Sequence, residues 1–92
     1  MKTIWKYELK IADTETVIMP KGASILCVQI QYVTPCVWAL VDPEEAEWEE
    51  HHFEMFGTGF NIREKAGIKR KYIGTIQIPN TGLVFHLFER IK

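Results

Sequence analysis

Much of what marks an enzyme or a metalloprotein is missing from this chain. Its 92 residues hold two cysteines, Cys27 and Cys36, in apolar surroundings, at a spacing that matches no zinc or redox motif. Both are expected to be reduced and to pack as small hydrophobes. Histidine is equally sparse: His51, His52 and His86. Neighbouring strand residues point to opposite faces, so at most one of the first two can join His86. A catalytic zinc needs three convergent protein ligands, and no metal is expected. There is no basic excess either, with 11 Lys and Arg against 12 Asp and Glu and a net charge of −1. That excludes a nucleic-acid partner bound by phosphate neutralisation. No long apolar run occurs, and Lys2 and Lys6 interrupt the N-terminal segment. Neither a signal peptide nor a membrane span is expected, which leaves the cytoplasm.

Catalytic motifs are absent too. No Gly-x-Gly-x-x-Gly or Gly-Lys-Thr pattern is present. Ser24 and Cys36 have no oriented base nearby in sequence and no strained elbow around them. Paired carboxylates occur only in the acidic run 42–50 (Asp42, Glu44, Glu45, Glu47, Glu49, Glu50), where solvation is the ordinary state. No catalytic residue and no cofactor is expected.

What the chain does have is alternation. In Trp5-Lys6-Tyr7-Glu8-Leu9-Lys10-Ile11 every odd residue is large and apolar and every even one is charged. Strand side chains alternate between faces, so this segment reads as a half-buried antiparallel strand. The signal predicts seven strands, over about 3–11, 16–19, 24–32, 36–42, 49–57, 70–78 and 83–91. In the third, Leu26, Val28, Ile30 and Tyr32 should share a face. The fourth is apolar on both faces, as a central strand or an interface requires. Pro20-Lys21-Gly22-Ala23 and Pro79-Asn80-Thr81-Gly82 supply turn chemistry. Asp42-Pro43-Glu44-Glu45 could open a helix, so 43–47 reads as a turn or a single helical turn. The expected fold is a single small all-β domain spanning 1–92, an antiparallel sandwich or barrel.

Eleven aromatic residues, five Phe, three Trp and three Tyr, exceed the needs of one small core, since each buries roughly 150–250 Å². The surplus is expected at an oligomer interface or a ligand pocket. The longest irregular segment starts at Gly57-Thr58-Gly59 and continues through Phe60 into the basic stretch 63–71, with Arg63, Lys65, Lys69, Arg70 and Lys71. Two glycines around a hydroxyl permit positive φ and close approach of a ligand to backbone N–H groups. Aromatics beside such donors and cations suit a base-plus-phosphate ligand. The expected ligand-binding residues are Trp38, His52, Phe56, Gly57, Thr58, Gly59, Phe60, Arg63 and Lys69.

Several ordered motifs also resemble a known family. They are Trp5-Lys6-Tyr7-Glu8-Leu9, Met19-Pro20-Lys21-Gly22-Ala23 and Pro35 to Pro43, then Phe53 to Gly59, Tyr72-Ile73-Gly74-Thr75 and Leu83 to Glu89. Together they are similar to a family of small uncharacterised proteins, of unknown function, that occur widely in phages and prophage regions. In that family Gly-Thr-Gly is commonly followed by His-Pro, whereas Phe60-Asn61 follows it here. The resemblance implies a compact phage-type protein acting in the host cytoplasm against host defence. It would be non-enzymatic, and would sequester a nucleotide-derived signalling ligand as a homo-oligomer. The alternative is an inhibitor that occludes a host defence protein through its acidic 42–50 run and Trp48.

Overall fold

A computed structural model describes residues 1–91. Seven strands form two antiparallel sheets: β1 (Thr3–Glu8), β2 (Thr14–Pro20), β3 (Ser24–Gln31), β4 (Thr34–Val41), β5 (Trp48–Gly57), β6 (Arg70–Gln77) and β7 (Val84–Arg90). Sheet A has the order β1-β4-β3 and sheet B the order β2-β5-β7-β6. The architecture is an all-β sandwich, and no closed barrel forms. The acidic segment after β4 is a plain turn. Asp42 accepts from the Glu44 amide through Oδ1 at 3.0 Å and from the Glu45 amide through its carbonyl at 3.1 Å. No helix follows the proline.

Alternation decides what each sheet buries. From β4, Val37, Ala39 and Val41 point inward, and Cys36, Trp38 and Leu40 point outward. The inward set meets Met19, Phe53, Met55 and Leu87 of sheet B in one core cluster. Phe53, Met19, Leu87, Val37 and Val41 are completely enclosed, each contributing about 1.5–3 kcal/mol. Cys36 is fully buried although it faces outward. Lys6 of β1 reaches across β4 to hydrogen-bond Gln31 of β3 at 2.5 Å, over the position of Cys36. Both cysteines are free thiols.

Two bulges alter the expected faces. In β3 the register against β4 slips between Ile25 and Cys27. Leu26 is the extra residue, so it and Cys27 lie outside while Ile25, Val28 and Ile30 face the core. The predicted grouping of Leu26 with Val28 is thus corrected. Tyr32 leaves the strand altogether. It sits in the two-residue turn to β4 with φ of 61°, and it is 91% exposed. In β6 alternation alone puts Tyr72 on one face with Gly74, Ile76 and Ile78, but the slip between Tyr72 and Gly74 leaves Tyr72 outside and Gly74 and Ile76 inside.

The two sheets meet closely where β3 passes β6. A Cβ built on Gly74 would lie 2.8 Å from Val28 Cγ1, so the glycine is there for space. On the other side, Trp5 of sheet A stacks on Trp48 of sheet B, with centroids 6.4 Å apart and planes at 28°. Inside sheet B, buried His51 holds Glu89 Oε2 at 2.5 Å from Nδ1. Glu49 Oε2 lies 2.8 Å from Nε2 but is not aligned as a hydrogen bond.

Candidate functional site

The outer face of sheet B gathers an aromatic and polar cluster. Side chains of β5, β7 and β6 that face outward fall into rows: Glu54, Phe88 and Tyr72 in one, Phe56, His86 and Thr75 in the next. Phe88 meets Phe56 edge-on at 5.8 Å and Tyr72 at 5.4 Å. The Arg70 guanidinium lies 5.6 Å from the centre of the Phe56 ring, within cation–π range. Its Nε donates to Glu54 Oε1 at 2.7 Å, and both side chains are largely buried. This pairing fixes the guanidinium against the aromatic face.

The connector 58–69 passes beside this cluster. It turns at Gly59 and Gly67, both with φ of 88°, a conformation that side chains with a Cβ rarely adopt. Between connector and sheet is a recess of about 380 Å³, lined by Ile62, Glu64, Lys65, Ile68, Arg70 and Phe88. Phe88 supplies an aromatic wall, and Lys65 and Arg70 are the recess's cations, Arg70 already paired with Glu54 and Lys65 sharing the lining with the Glu64 carboxylate. A ring with an attached anion fits that chemistry, and the volume falls within the range of about 300–1,000 Å³ usual for small-molecule sites.

A larger hollow of about 650 Å³ crosses β5 between β2 and β7. Its lining includes Glu49, Glu50, Glu54 and Glu89 with His52 and Arg90. With Glu15 the lining carries five carboxylates, which make it a poor receptor for an anion. Among the described residues no group of three or more His, Cys, Asp or Glu could hold a metal ion, and no helix is long and apolar enough to cross a membrane.

The residues expected from sequence fall in several places. Phe56, Gly57 and Thr58 run along the end of β5 into the turn, beside the aromatic cluster. Phe60 folds back on that turn: its amide donates to the Gly57 carbonyl at 3.0 Å, and its ring lies 3.3 Å from where a Gly57 Cβ would be. The Thr58 amide is also used, by the Val84 carbonyl at 3.2 Å. Of the three amides at 58–60, only that of Gly59 has no hydrogen-bond partner among the described residues. Arg63 and Lys69 are exposed on the connector but outside the recess lining. His52 belongs to the acidic hollow, with Nδ1 3.0 Å from Thr16 Oγ1. Trp38 is remote from all of these, on the outer face of sheet A beside Ile4, Leu26 and Cys27.

Sequence reasoning did not name Phe88, Tyr72, Glu54, Thr75 or His86 among the ligand-binding residues, and named Lys65 and Arg70 only as part of the basic run. Strand parity could have placed Phe88 with His86 on one face of β7. The sheet order that brings β6 and β5 to either side of β7 has no local signal.

The model of the domain of unknown function DUF7352 matches residues 1–92. Comparison with curated proteins and with solved structures gives no match.

Proposed function

The chain belongs to the DUF7352 family, and we propose that it is a non-enzymatic binding module that captures a small nucleotide-derived ligand. The observation that carries this reading is the recess with Phe88 on one wall and Lys65 and Arg70 around it. In this reading the ligand's base stacks on Phe88 or on the half-exposed Tyr72 ring, and its phosphate takes Lys65 and Arg70. Aromatic stacking on each base is worth about 1–3 kcal/mol, and charge-assisted contacts to phosphate are the stronger class of hydrogen bond. The physiological setting we propose is a phage-type one: sequestration of a signalling nucleotide in the host cytoplasm, by a homo-oligomer. Exposed Ile4 and Leu26 on sheet A give such an assembly apolar surface to cover.

Calorimetry against cyclic and ADP-ribose-type nucleotides tests the reading. At least one should bind the wild type, and Phe88→Leu and Lys65→Ala should each weaken it about tenfold or more. Mass analysis of released ligand should return it intact, whereas fragments would mean catalysis. Flat traces across the panel would defeat the proposal. A second reading, occlusion of a host protein, draws support from Trp48, which is 52% exposed beside the acidic run. Retention of a host protein by the wild type and its loss in Trp48→Ala would favour it.

A further inference from the structure

Four side chains on the outer face of sheet B form one continuous hydrogen-bonded chain. Thr58 Oγ1 lies 2.7 Å from His86 Nε2. His86 Nδ1 lies 2.9 Å from Thr75 Oγ1, and Thr75 Oγ1 bonds the Tyr72 hydroxyl. Both imidazole nitrogens are therefore engaged by hydroxyls, and both ends of the chain, Thr58 and Tyr72, are exposed.

Donor counting restricts how such a chain can run. A neutral imidazole has one N–H and one bare nitrogen, and each hydroxyl has a single hydrogen. If Nε2 carries the proton it donates to Thr58, Thr75 donates to Nδ1 and Tyr72 donates to Thr75. The free hydrogen is then at Thr58. If Nδ1 carries the proton, every bond reverses and the free hydrogen is at Tyr72. A neutral chain thus offers an outward donor at one end only. Protonated His86 donates from both nitrogens. Thr58 then only accepts from the ring and turns its hydrogen outward, while Thr75 passes its own to Tyr72, whose hydrogen is also free. Proton uptake adds an outward donor and a positive charge in one step.

We propose that this chain is a proton-gated receptor for a tetrahedral oxyanion, seated at the Thr58 end. The next residue supports that end, because the Gly59 amide has no hydrogen-bond partner among the described residues and lies in a turn with φ of 88°. An anion there would receive the Thr58 hydroxyl and the Gly59 N–H, with the imidazolium directly behind the hydroxyl. The charges facing His86 leave this field uncancelled. From β5, Glu54 is neutralised by its ion pair with Arg70 of β6, and Phe56 carries no charge. From β6, Thr75 and Tyr72 are the chain itself, and on β7 the neighbours facing the same way are Val84 and Phe88. The anion seat at Thr58 and Gly59 lies outside the nucleotide recess, although Tyr72 and the Glu54–Arg70 pair belong to both surroundings.

Sulfate is the probe, because its charge does not change over the range of interest. Amide NMR titrations of the full chain should give an affinity about tenfold higher near pH 5.5 than near pH 8. The largest shifts should fall at Thr58 and Gly59. His86→Gln keeps a side chain that donates and accepts but cannot titrate, and should hold sulfate equally at both pH values. Thr58→Val should lose the acid-enhanced binding while its dispersed spectrum shows the fold intact. Imidazole ¹⁵N shifts read the protonation of His86 without any ligand and should follow the sulfate affinity. A pH-independent affinity in the wild type would overturn the proposal, as would retention of the pH effect in His86→Gln. Flat nucleotide calorimetry together with gated sulfate binding would remove the capture reading alone.

Discussion

Gly74→Ala tests the closest approach between the two sheets. The new methyl would start 2.8 Å from Val28 Cγ1, whereas carbon atoms pack best at about 3.5–4.0 Å. A gap of roughly 1 Å must open. Valine has one stiff χ1 torsion and cannot swing its methyl clear as a long side chain would. Relief must come from an unfavourable rotamer or from parting β3 and β6. Overpacking of this kind costs about 1–3 kcal/mol. Restricting the unfolded chain by replacing glycine returns about 0.4–1 kcal/mol, so a net loss of about 1–2 kcal/mol is expected. Val28, 6% exposed, gives the control. Val28→Ala removes two carbons at about 0.8 kcal/mol each plus a cavity contribution. In the double variant the methyl introduced in place of the glycine hydrogen occupies the space that Cγ1 vacated. Its loss should therefore fall short of the summed single losses by about 1 kcal/mol or more. Urea unfolding of the four proteins measures this, and in a domain this small 1 kcal/mol moves Tm by about 4–8 °C. Losses that add to within about 0.5 kcal/mol, or a Gly74→Ala protein more stable than wild type, would refute the packing argument.

Two further predictions concern buried polar groups and the tryptophan pair. The Tyr7 hydroxyl is buried without a hydrogen-bond partner among the described residues, and burial raises its pKa above the ordinary 10.0. The unfolded chain therefore releases this proton first, so the stability linked to Tyr7 is present below pH 10 and declines as pH climbs toward the folded pKa. Tyr7→Phe should be neutral or slightly stabilising at pH 7, and should flatten the alkaline decline seen by chemical denaturation; an unchanged alkaline slope would contradict it. Trp48→Ala should remove the stack on Trp5 and destabilise by about 1 kcal/mol, from the pair interaction and partial burial together. Near-UV circular dichroism should lose intensity in parallel, and an unaltered spectrum would argue against the stack.

Most of the strand layout is legible because alternation is a property of single strands. Trp5, Tyr7, Val17, Met19, Val37, Val41, Phe53 and Met55 all face the core as parity requires. Parity fails where a partner strand dictates a bulge. Nothing in Ile25-Leu26-Cys27 reveals that Leu26 has no opposite number on β4, and parity puts Tyr72 on the wrong face for the same reason at Gly74. The turn at 42–45 is ambiguous because Asp followed by Pro suits a helix cap and a β-turn equally, and only the β5 pairing that begins at Trp48 decides between them. The site is half readable. Phe56 and Thr58 lie within sequence reach of each other, and the glycines announce the turn. Their companions Phe88, His86 and Thr75 arrive through the order β5-β7-β6, which depends on the whole chain. Residue type alone groups Trp38 with them, and β4 carries it to the other sheet.

The bulge at Leu26 has a practical consequence. It turns Cys27 outward beside Trp38 and leaves it partly accessible, while Cys36 is sealed beneath the Lys6–Gln31 bridge. A maleimide dye should therefore label the native chain at a single position without removal of either thiol. Indole quenching at that position would then report directly whenever another molecule settles on sheet A.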